Sequence, residues 1–254
     1  MIGKDYEYNA MANSERTLWW YRCLHSLTLR QIQAFSSSQQ LSILDAGCGT
    51  GGLISFLQAA GYGNIEGFDL SPYAVEYANK TYGLQTKVLS ILEAGAATTG
   101  APAYDVIVSN DVLCLLQPGQ DAEALGKLLA LLRPGGILIL NLPALRAGRG
   151  THDVAVGITR RYTKEDMRTL AGDKARVRKM LYWPFFLSPV IFSVRWFQRM
   201  QLRFNKNMHI VSDVKNPPAF LNRFFYGLTS FENRLLSSKP WGSSLLTVLE
   251  KGGH

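Results

Sequence analysis

Two aspartates and a run of glycines are the residues of this sequence whose types and spacing best suit ligand chemistry. The glycines stand at positions 47, 49, 51 and 52, just after an apolar run that contains Asp45. Glycine lets a backbone turn sharply and lie close to a ligand, and a helix that follows directs its first amide groups at that ligand. The second aspartate, Asp69, ends the next apolar run. We therefore predict a nucleotide-like ligand at this turn.

The glycine spacing alone fits two classes of cofactor. Gly47-x-Gly49-x-x-Gly52 satisfies the fingerprint of dinucleotide-binding proteins, in which an acid placed like Asp69 binds the ribose. Asp45 separates the two classes, because a carboxylate two residues before Gly47 would repel a pyrophosphate and attract a cationic amine. The chain also leaves little room for a separate hydride-acceptor domain. An NAD(P)-dependent oxidoreductase is therefore the less favoured alternative.

Alternating apolar runs predict the elements that must position these residues. A helix is expected from about residue 53, and another begins with Ser71 as its cap and Pro72 at its first position. Strands separated by helices form βαβ units, so the sequence predicts a parallel sheet with helices on both faces. The first predicted strand is the apolar run from residue 41 that ends at Asp45, and the others of this part are residues 64–69, 86–89, 104–109 and 137–141.

The chain divides into three predicted parts. Residues 1–40 form a helical cap, with a helix over about 5–34, and residues 41–142 form the ligand-binding core. Residues 143–254 complete the sheet with strands near 175–183 and 243–250, after a basic loop over 146–161. Between those strands, residues 181–206 are aromatic and then basic, and are too short and proline-broken to span a bilayer. We predict a lid over the substrate, with a membrane-surface patch and a dimer contact as open alternatives.

The net charge of +8 is unevenly distributed. Residues 1–143 carry 8 basic and 12 acidic residues, whereas residues 144–254 carry 19 and 7, so the second part holds a net charge of +12. Such a basic half predicts an anionic partner, namely an anionic substrate, a membrane surface or a nucleic acid, unless it is only a solvated surface. The apolar content of 47% excludes an intrinsically disordered chain.

The cysteines favour a reducing compartment. Cys23, Cys48 and Cys114 are far apart and lack the spacing of metal ligands, so we predict neither a disulfide nor a metal site. The N-terminus lacks the basic start and apolar stretch of a signal peptide. We therefore predict a cytoplasmic protein, with membrane contact through residues 181–206 as the alternative stated above.

Four stretches in this order resemble the class I S-adenosylmethionine-dependent methyltransferases: residues 43–52, Asp69, residues 104–116 and residues 132–140. The resemblance spans residues 41–142. It implies an α/β, Rossmann-like fold with a seven-stranded, mostly parallel sheet and one antiparallel strand. It also implies S-adenosylmethionine as the cofactor and transfer of its methyl group as the reaction.

The resemblance implies a set of cofactor contacts. Asp45 and the backbone of the glycine turn hold the methionine part, and Asp69 accepts both ribose hydroxyls, which suits the two oxygens of a carboxylate. The chain departs from the pattern where Ser90 replaces a common adenine-binding aspartate and Leu115 replaces a common histidine. Adenine contact therefore falls mainly to backbone near Ile91. The predicted cofactor-binding residues are Asp45, Gly47, Cys48, Gly49, Gly52, Asp69, Leu70, Ser90, Ile91 and Asn110.

Two outer segments, residues 15–22 and 152–163, resemble a bacterial subgroup that acts on small or lipid-like acceptors, although Ile158 stands where relatives often have a second histidine. His152, with Asp153 beside it, is the predicted general base, the alternative being a loop histidine that binds backbone. Tyr21 is predicted beside the sulfonium through cation–π contact, with core packing as the alternative. The predicted substrate contacts are Trp19, Asp111, Arg160, Arg161 and Tyr162, the two arginines being alternatively partners in helix-start salt bridges.

The leading hypothesis is methyl transfer from S-adenosylmethionine to a small apolar or lipid-like acceptor, first to oxygen and next to nitrogen or carbon. The alternatives are an NAD(P)-dependent oxidoreductase and a repurposed protein of the same fold that binds the cofactor without transferring methyl. A nucleic-acid methyltransferase is disfavoured, because residues 109–112 lack the Pro-Pro-Tyr/Phe signature of base-amino methylation.

Overall fold

The structure is a computed structural model, and it describes residues 5–95, 104–204 and 217–252. Seven strands form one sheet in these ranges. The small-residue-rich stretch over 94–102, for which the sequence predicts a loop, lies almost wholly outside the described residues. So do His209, which the sequence makes a weaker candidate base than His152, and His254. The strands are β1 (Ile43–Ala46), β2 (Ile65–Asp69), β3 (Lys87–Val88), β4 (Tyr104–Asn110), β5 (Leu132–Pro143), β6 (Ala175–Trp183) and β7 (Ser244–Lys251).

The order of the strands across the sheet is β3-β2-β1-β4-β5-β7-β6. Strands β1 to β5 pair in parallel, and β7 lies antiparallel to both of its neighbours, β5 and β6. This arrangement confirms the predicted seven-stranded, mostly parallel sheet with one antiparallel strand. The carboxyl ends of β1, β2 and β4 therefore meet at one edge of the sheet, which is where open α/β folds bind ligands.

Helices precede the sheet, cover it and fill the β6–β7 connection. Two of them start at residues that the sequence marks: Ser71 accepts a hydrogen bond from the amide of Ala74, and Thr163 forms a capping box with Asp166. The helices are α1 (Asp5–Ser14), α2 (Trp19–Phe35), α3 (Gly52–Ala59), α4 (Pro72–Tyr82), α5 (Gln120–Leu131), α6 (Thr151–Val156), α7 (Lys164–Ala171), α8 (Ser188–Phe204) and α9 (Ala219–Leu235).

Three local predictions differ from the structure. The helix expected over residues 5–34 is two helices, α1 and α2, separated at residues 15–18. The basic loop expected over 146–161 contains a 3-10 turn at Arg146–Gly148 and helix α6. Strand β5 begins before the predicted position, because Gly135 takes a φ of 77° and lets residues 133–136 bulge within the strand.

The core lies on both faces of the sheet, which explains the unbroken apolar runs of the central strands. Successive side chains of a strand point to opposite faces. Val106 and Ile137 therefore pack with α2 and α3 on one face, whereas Ile107 and Leu138 pack with α5 and α7 on the other. All four side chains are fully buried.

The connection between β6 and β7 is anchored to the N-terminal part of the chain. The amide of Trp19 donates to Oδ1 of Asn222 across 2.8 Å, which joins α2 to α9. Glu232 of α9 pairs with Lys239 at 2.9 Å, and both side chains are fully buried. The Glu232 carboxylate also accepts the amide of Phe185, which follows β6. In the described ranges, no helix is both long enough and apolar enough to cross a membrane.

Candidate cofactor and active site

The glycine turn follows β1 at the carboxyl edge of the sheet. Gly47 has a φ of 87°, and its amide donates to the carbonyl of Phe68 across 2.8 Å, which ties the turn to β2. Gly51 takes a φ of 86° and caps helix α3. Positive φ values at these positions are strained for residues with a Cβ atom. The turn therefore needs glycine for its own backbone, whether or not a ligand is bound.

Protein side chains already lie close to all four of these glycines. A Cβ atom at Gly49 would overlap Met11 of α1, and one at Gly47 would overlap Val112. A Cβ atom at Gly52 would lie 2.5 Å from Oε2 of Glu15. The sequence predicts that a ligand lies close to the backbone of the glycine turn. Part of that space is taken by helix α1 and by Glu15, the residue that follows it.

Glu15 places a buried carboxylate on the first turn of helix α3. Its Oε2 accepts a hydrogen bond from the hydroxyl of Thr50, and the backbone amide of Gly52 also donates a hydrogen bond to the carboxylate. Burial raises the pKa of Glu15 to about 7, against the lowering effect of these hydrogen bonds. A helix N-terminus favours an anion, and here the protein supplies that anion. A pyrophosphate at the same place would meet a carboxylate, so this geometry argues against a dinucleotide cofactor.

Asp69 lies at the end of β2 and is held by three donors. The hydroxyl of Tyr8 and the amide of Ser71 donate to Oδ1 across 3.1 and 2.9 Å. The amide of Gly49 donates to Oδ2 across 2.8 Å. A carboxylate has about four acceptor positions, so at least one remains for a ligand, and the Tyr8 hydroxyl can exchange for another. Asp69 thus keeps an acceptor position at the glycine turn, and its contact with a ribose stays a prediction.

Asp45 is a buried carboxylate of β1 with no hydrogen bond to another described side chain or amide. Its pKa is raised to about 8, first by burial and then by the negative charges of Glu15 and Asp69. An ionised carboxylate is costly to bury without a counter-charge. Three neighbouring acids thus create a negative site that a cationic ligand would relieve.

Two further polar residues lie at the end of β4, on the same edge of the sheet. Asn110 has a buried Oδ1 with no hydrogen-bond partner among the described residues. Asp111 has a φ of 56°, which is uncommon for a residue other than glycine. Burial raises the pKa of Asp111 to about 7, although a hydrogen bond from Asn141 and the charge of Arg161 act to lower it. An uncommon backbone conformation and a buried acid together mark a candidate reaction centre.

The sequence alone gave no role to the two residues that orient Asp111. Asn141 of β5 donates from Nδ2 to Oδ2 of Asp111 across 3.1 Å. The Oδ1 of Asn141 accepts a hydrogen bond from the indole Nε1 of Trp183 across 2.9 Å. Because an indole nitrogen can only donate, Trp183 fixes the orientation of the amide and directs its donor to Asp111. The available signal was a single polar residue at the end of the apolar run 137–141.

The aromatic residues at positions 19–21 separate into different environments. Trp19 packs edge-on to Phe225 of α9 and so lies against the β6–β7 connection. Trp20 stacks on Trp183 with 5.4 Å between ring centroids. Tyr21 faces the acids: burial raises the pKa of its hydroxyl, with further contributions from Glu15, Asp111 and Glu7. The structure therefore brings Tyr21 to the candidate site, whereas the Trp19 side chain packs against α9.

The residues predicted to contact an acceptor after β5 are largely engaged with protein partners. Arg161 and Asp153 form a buried ion pair with Nε–Oδ1 at 2.6 Å, and Asp153 also accepts the amide of Gly150. Arg160 pairs with Asp121 at 2.9 Å and with Asp166 at 2.7 Å. These contacts favour the alternative of helix-start salt bridges over an anion clamp.

Tyr162 and His152 differ in exposure. Tyr162 is fully buried, and its hydroxyl donates to Oδ2 of Asp121 across 3.0 Å, so its position does not support the predicted contact with an acceptor. His152 lies in α6 and is partly exposed. The sequence predicts that the Asp153 carboxylate accompanies His152. In the structure that carboxylate is engaged by Arg161 instead.

The remaining predicted cofactor contacts lie beside Asp69 and after β3. Leu70 follows Asp69 with 54% of its surface exposed. Ser90 accepts the amide of Leu92 and so begins the 3-10 turn that contains the buried Ile91. Cys48 is buried within the glycine turn, and burial raises the pKa of its thiol. Within the described ranges, no group of three or more histidine, cysteine or acidic side chains is placed to hold a metal ion.

Comparison with known proteins identifies a family. A family model described as a methyltransferase domain matches residues 21–224, which is most of the chain. The ribosomal protein L11 methyltransferase of Dechloromonas aromatica is 35% identical over 107 residues, which are 41% of this chain and 33% of that protein. The chain thus spans about a third of the length of this curated relative.

Solved structures share the fold at low sequence identity. A SAM-dependent methyltransferase from Archaeoglobus fulgidus matches with a TM-score of 0.59 and 13% identity, covering 90% of this chain and 93% of that one. A TehB-like SAM-dependent methyltransferase from Corynebacterium glutamicum matches with a TM-score of 0.51 and 17% identity, covering 87% and 85%. Together with the family match, these structures confirm the predicted fold and the resemblance to methyltransferases. The chain belongs to the methyltransferase-domain family and shares its fold with solved SAM-dependent methyltransferases.

Proposed function

We propose that this protein transfers the methyl group of S-adenosylmethionine to a small apolar or lipid-like acceptor, with oxygen as the first candidate atom. The observation that carries the proposal is the cluster of buried acids Glu15, Asp45 and Asp69 around the glycine turn. The cofactor carries a sulfonium and an ammonium group, and it supplies an electrophilic methyl group when bound. Its charge matches the unbalanced negative charge of this site.

The residues of the site suit the parts of the cofactor. Asp45 and the turn that begins at Gly47 hold the methionine part, where the free Oδ1 of Asn110 offers one more acceptor. Asp69 accepts the ribose hydroxyls. Leu70 and the backbone near Ile91 cover the adenine, and the Ser90 hydroxyl, already bound to the amide of Leu92, lies beside them.

In this proposal, Asp111 accepts the proton that an acceptor hydroxyl must lose. The pKa of about 7 lets the carboxylate be ionised in neutral solution and still take up a proton. Asn141 and Trp183 hold its Oδ2, so Oδ1 is the oxygen available to the acceptor. Alignment of the acceptor with the methyl group supplies most of the remaining rate gain. His152 stays the second candidate base.

An apolar acceptor agrees better with this site than an anionic one. The guanidinium groups of Arg160 and Arg161 are already paired with carboxylates. Tyr21 brings an aromatic ring to the acids. The preceding residue, Trp20, stacks on Trp183. A contact of residues 181–206 with a membrane would bring the site close to a lipid-like acceptor, and it stays a prediction.

Two other functions remain as alternatives. A dinucleotide-dependent oxidoreductase is disfavoured by the Glu15 carboxylate on the first turn of α3. A repurposed protein would bind S-adenosylmethionine through Asp45 and Asp69 but release no S-adenosylhomocysteine. A methyltransferase and a repurposed protein therefore differ in a measurable product rather than in cofactor binding.

Calorimetry with S-adenosylmethionine and S-adenosylhomocysteine tests the cofactor site. We expect binding by the wild-type protein, and at least about tenfold weaker binding by Asp69→Ala, because each lost hydrogen bond to a charged group is worth about 1.5–3 kcal/mol. Glu76→Ala, which changes an exposed acid of α4, is the matched control and should bind normally. Equal binding by all three proteins would contradict the assigned site.

The acceptor class is tested with methyl-labelled S-adenosylmethionine. The protein is incubated with the lipid fraction and, separately, with the aqueous fraction of a cell extract. We expect label in the lipid fraction together with released S-adenosylhomocysteine. Label in the aqueous fraction alone would exclude a lipid-like acceptor, and cofactor binding without any label transfer would favour the repurposed protein.

A further inference from the structure

The exposed apolar surface of this protein is concentrated in the β6–β7 connection. The described residues leave fifteen large apolar side chains exposed, and eleven of them lie between residues 186 and 241. Scattered exposed apolar residues are normal, whereas a concentration of this kind marks an interaction surface. The eleven are Phe186, Val190, Val194, Trp196, Phe197, Phe204, Phe220, Phe224, Phe231, Leu235 and Trp241.

On helix α8 four of the five large apolar side chains that are exposed form one stripe, and Trp196 lies to one side of it. Val190, Val194, Phe197 and Phe204 are separated by four, three and seven residues, which places them on one side of a helix. Phe204 is the most exposed of them, at 82%. An amphipathic helix of a globular protein normally turns such a stripe toward the core. Here the stripe faces outward.

The opposite side of α8 is attached to the protein through polar contacts. Arg199 donates to the carbonyl oxygens of Ala147 and Arg149 across 2.7 and 2.6 Å. These carbonyls carry no net charge, so the positive charge of Arg199 is not neutralised by them. Helix α8 is thus fixed with its apolar stripe exposed and a cation at its inner border.

Helix α9 repeats this arrangement. Phe220, Phe224, Phe231 and Leu235 are exposed and lie at spacings of four, seven and four residues. The other side of the helix packs on α2, where Arg22 lies 3.9 Å from the centre of the Tyr226 ring. Both helices of the connection therefore present an apolar outer stripe.

The charged residues of the two helices are almost all positive. Helix α8 contains no acidic residue, and the single acid of α9 is Glu232. Glu232 is fully buried in its pair with Lys239, so it offers no charge to the surface. Arg223 and Arg234 are exposed beside the apolar stripe of α9. The outer surface thus combines aromatic side chains with cations.

This combination decides between possible occupants. In a symmetric dimer through α9, Arg223 and Arg234 would meet the same surface of a second copy, on which α9 exposes no acid to balance them. A nucleic acid would balance the arginines but would leave the phenylalanine and valine stripes in water. An anionic lipid surface balances the cations, and its interface accepts aromatic and aliphatic side chains.

We propose that the outer faces of α8 and α9 bind the surface of a membrane that contains anionic lipid. The helices lie in the plane of the interface, with Phe197 and Phe224 inserted and Arg223 and Arg234 at the level of the headgroups. The inference goes beyond methyl transfer and does not depend on it, because it requires neither the cofactor nor a particular acceptor.

Vesicle flotation with the full-length protein tests the proposal. The probes are vesicles of phosphatidylcholine alone and vesicles of equal parts phosphatidylglycerol and phosphatidylcholine. We expect binding to the anionic vesicles at low salt and its release at high salt, since headgroup attraction is worth about 1 kcal/mol per basic residue and is screened by salt. Binding to neither vesicle at low salt, or equal binding to both at all salt concentrations, would overturn the proposal.

Two double variants separate the apolar and ionic contributions. Phe197→Glu with Phe224→Glu, and Arg223→Glu with Arg234→Glu, should each weaken binding at least about tenfold, because each loses two favourable contacts and adds two repelled charges. Val88→Glu and Lys87→Glu make comparable apolar-to-acid and base-to-acid changes on the exposed strand β3 and should bind like wild type.

The same variants also report the competing occupants. Circular dichroism and thermal melting verify that each variant is folded. If sedimentation velocity shows a dimer that the Phe197→Glu/Phe224→Glu variant dissociates, while no vesicle binding is found, the surface belongs to a second copy. If only the arginine variant loses binding, and it loses binding to RNA equally, the surface is a polyanion site rather than a membrane site.

Discussion

The hydroxyl of Tyr8 donates a hydrogen bond to Oδ1 of Asp69 across 3.1 Å, and this bond joins helix α1 to the end of strand β2. Asp69 is the acid that we assign to the ribose of the cofactor. The Tyr8 hydroxyl therefore uses the kind of acceptor position that a ribose hydroxyl requires. Burial and the charge of Asp69 raise the pKa of Tyr8, so the hydroxyl stays protonated and remains a donor.

We expect Tyr8→Phe to bind S-adenosylmethionine more tightly, by about three- to tenfold. The substitution removes a competing hydrogen bond worth about 1 kcal/mol and leaves the ring in place. Calorimetry at neutral pH measures the change. Tyr73→Phe is the matched control, because it removes another hydroxyl contact of α1, with Asn9, away from Asp69. Weaker binding by Tyr8→Phe would show that the hydroxyl contacts the cofactor instead of competing with it.

Cofactor affinity should increase as the pH rises through 7 to 8. The pKa values of Glu15 and Asp45 are raised to about 7 and about 8, chiefly by burial, and a cation binds best when both carboxyls are ionised. Binding then releases protons, which calorimetry detects by comparing buffers of different ionisation enthalpy. The amine of the cofactor titrates equally in all variants, so the difference between wild type and Asp45→Asn isolates the Asp45 carboxyl. An identical pH dependence in both proteins would contradict the assignment.

The same carboxyls make the cofactor-free protein sensitive to pH. A carboxyl whose folded-state pKa is raised stabilises the fold at low pH and loses that contribution as the pH rises through the folded value. For Asp45 the loss extends from its ordinary value of 3.8 to about 8. Urea denaturation across this range should show a smaller decline for Asp45→Asn than for wild type, whereas Glu76→Gln should decline like wild type.

Asp111→Asn should lower the rate of methyl transfer by about 10²–10⁴-fold, the range that a positioned general base supplies. The acidic limb of the pH–rate profile, expected near a pKa of about 7, should disappear. Cofactor affinity should change little, because Asp111 faces the acceptor in the proposed site. Asp105→Asn alters a half-buried partner of Arg133 and is the control. An intact acidic limb in Asp111→Asn would move the role to His152 or to no base at all.

Glu232→Gln should destabilise the fold by about 3 kcal/mol or more, because it leaves the buried ammonium of Lys239 without its counter-charge. Glu165→Gln breaks the exposed pair with Arg168 and should cost less than about 1 kcal/mol. Urea denaturation of both variants provides the comparison. Equal stability of the two variants would mean that the buried pair can be replaced without loss.

The sheet and the glycine turn could be predicted because their signals are local. The apolar run into Asp45, the glycines at 47–52 and the apolar run into Asp69 each specify a short segment whatever the rest of the chain does. Ser71 and Pro72 likewise mark a helix start that the structure confirms. The two-sided burial of β4 and β5 follows from unbroken apolar runs.

The contacts of the site that could not be predicted join residues far apart in the sequence. Tyr8 and Asp69 are separated by 61 positions, and Glu15 and Thr50 by 35. Helical periodicity places Tyr8 and Glu15 on α1 and its end, but it does not say which strand end they reach. The same limit applies to the orientation of Asp111 by Asn141, because the two belong to different strands.

Strand β6 has β7 as its pairing partner and lies at the border of the sheet. Residues 184–243 separate the two strands, so the ribosome delivers β6 well before it delivers the strand that connects β6 to the rest of the sheet. Leu181 and Trp183 are buried in the folded protein, but until β7 is synthesised the strand that contains them has no pairing partner. Pairings of high sequence separation form slowly. The growing chain is therefore most exposed to misassociation in the interval between the synthesis of β6 and that of β7.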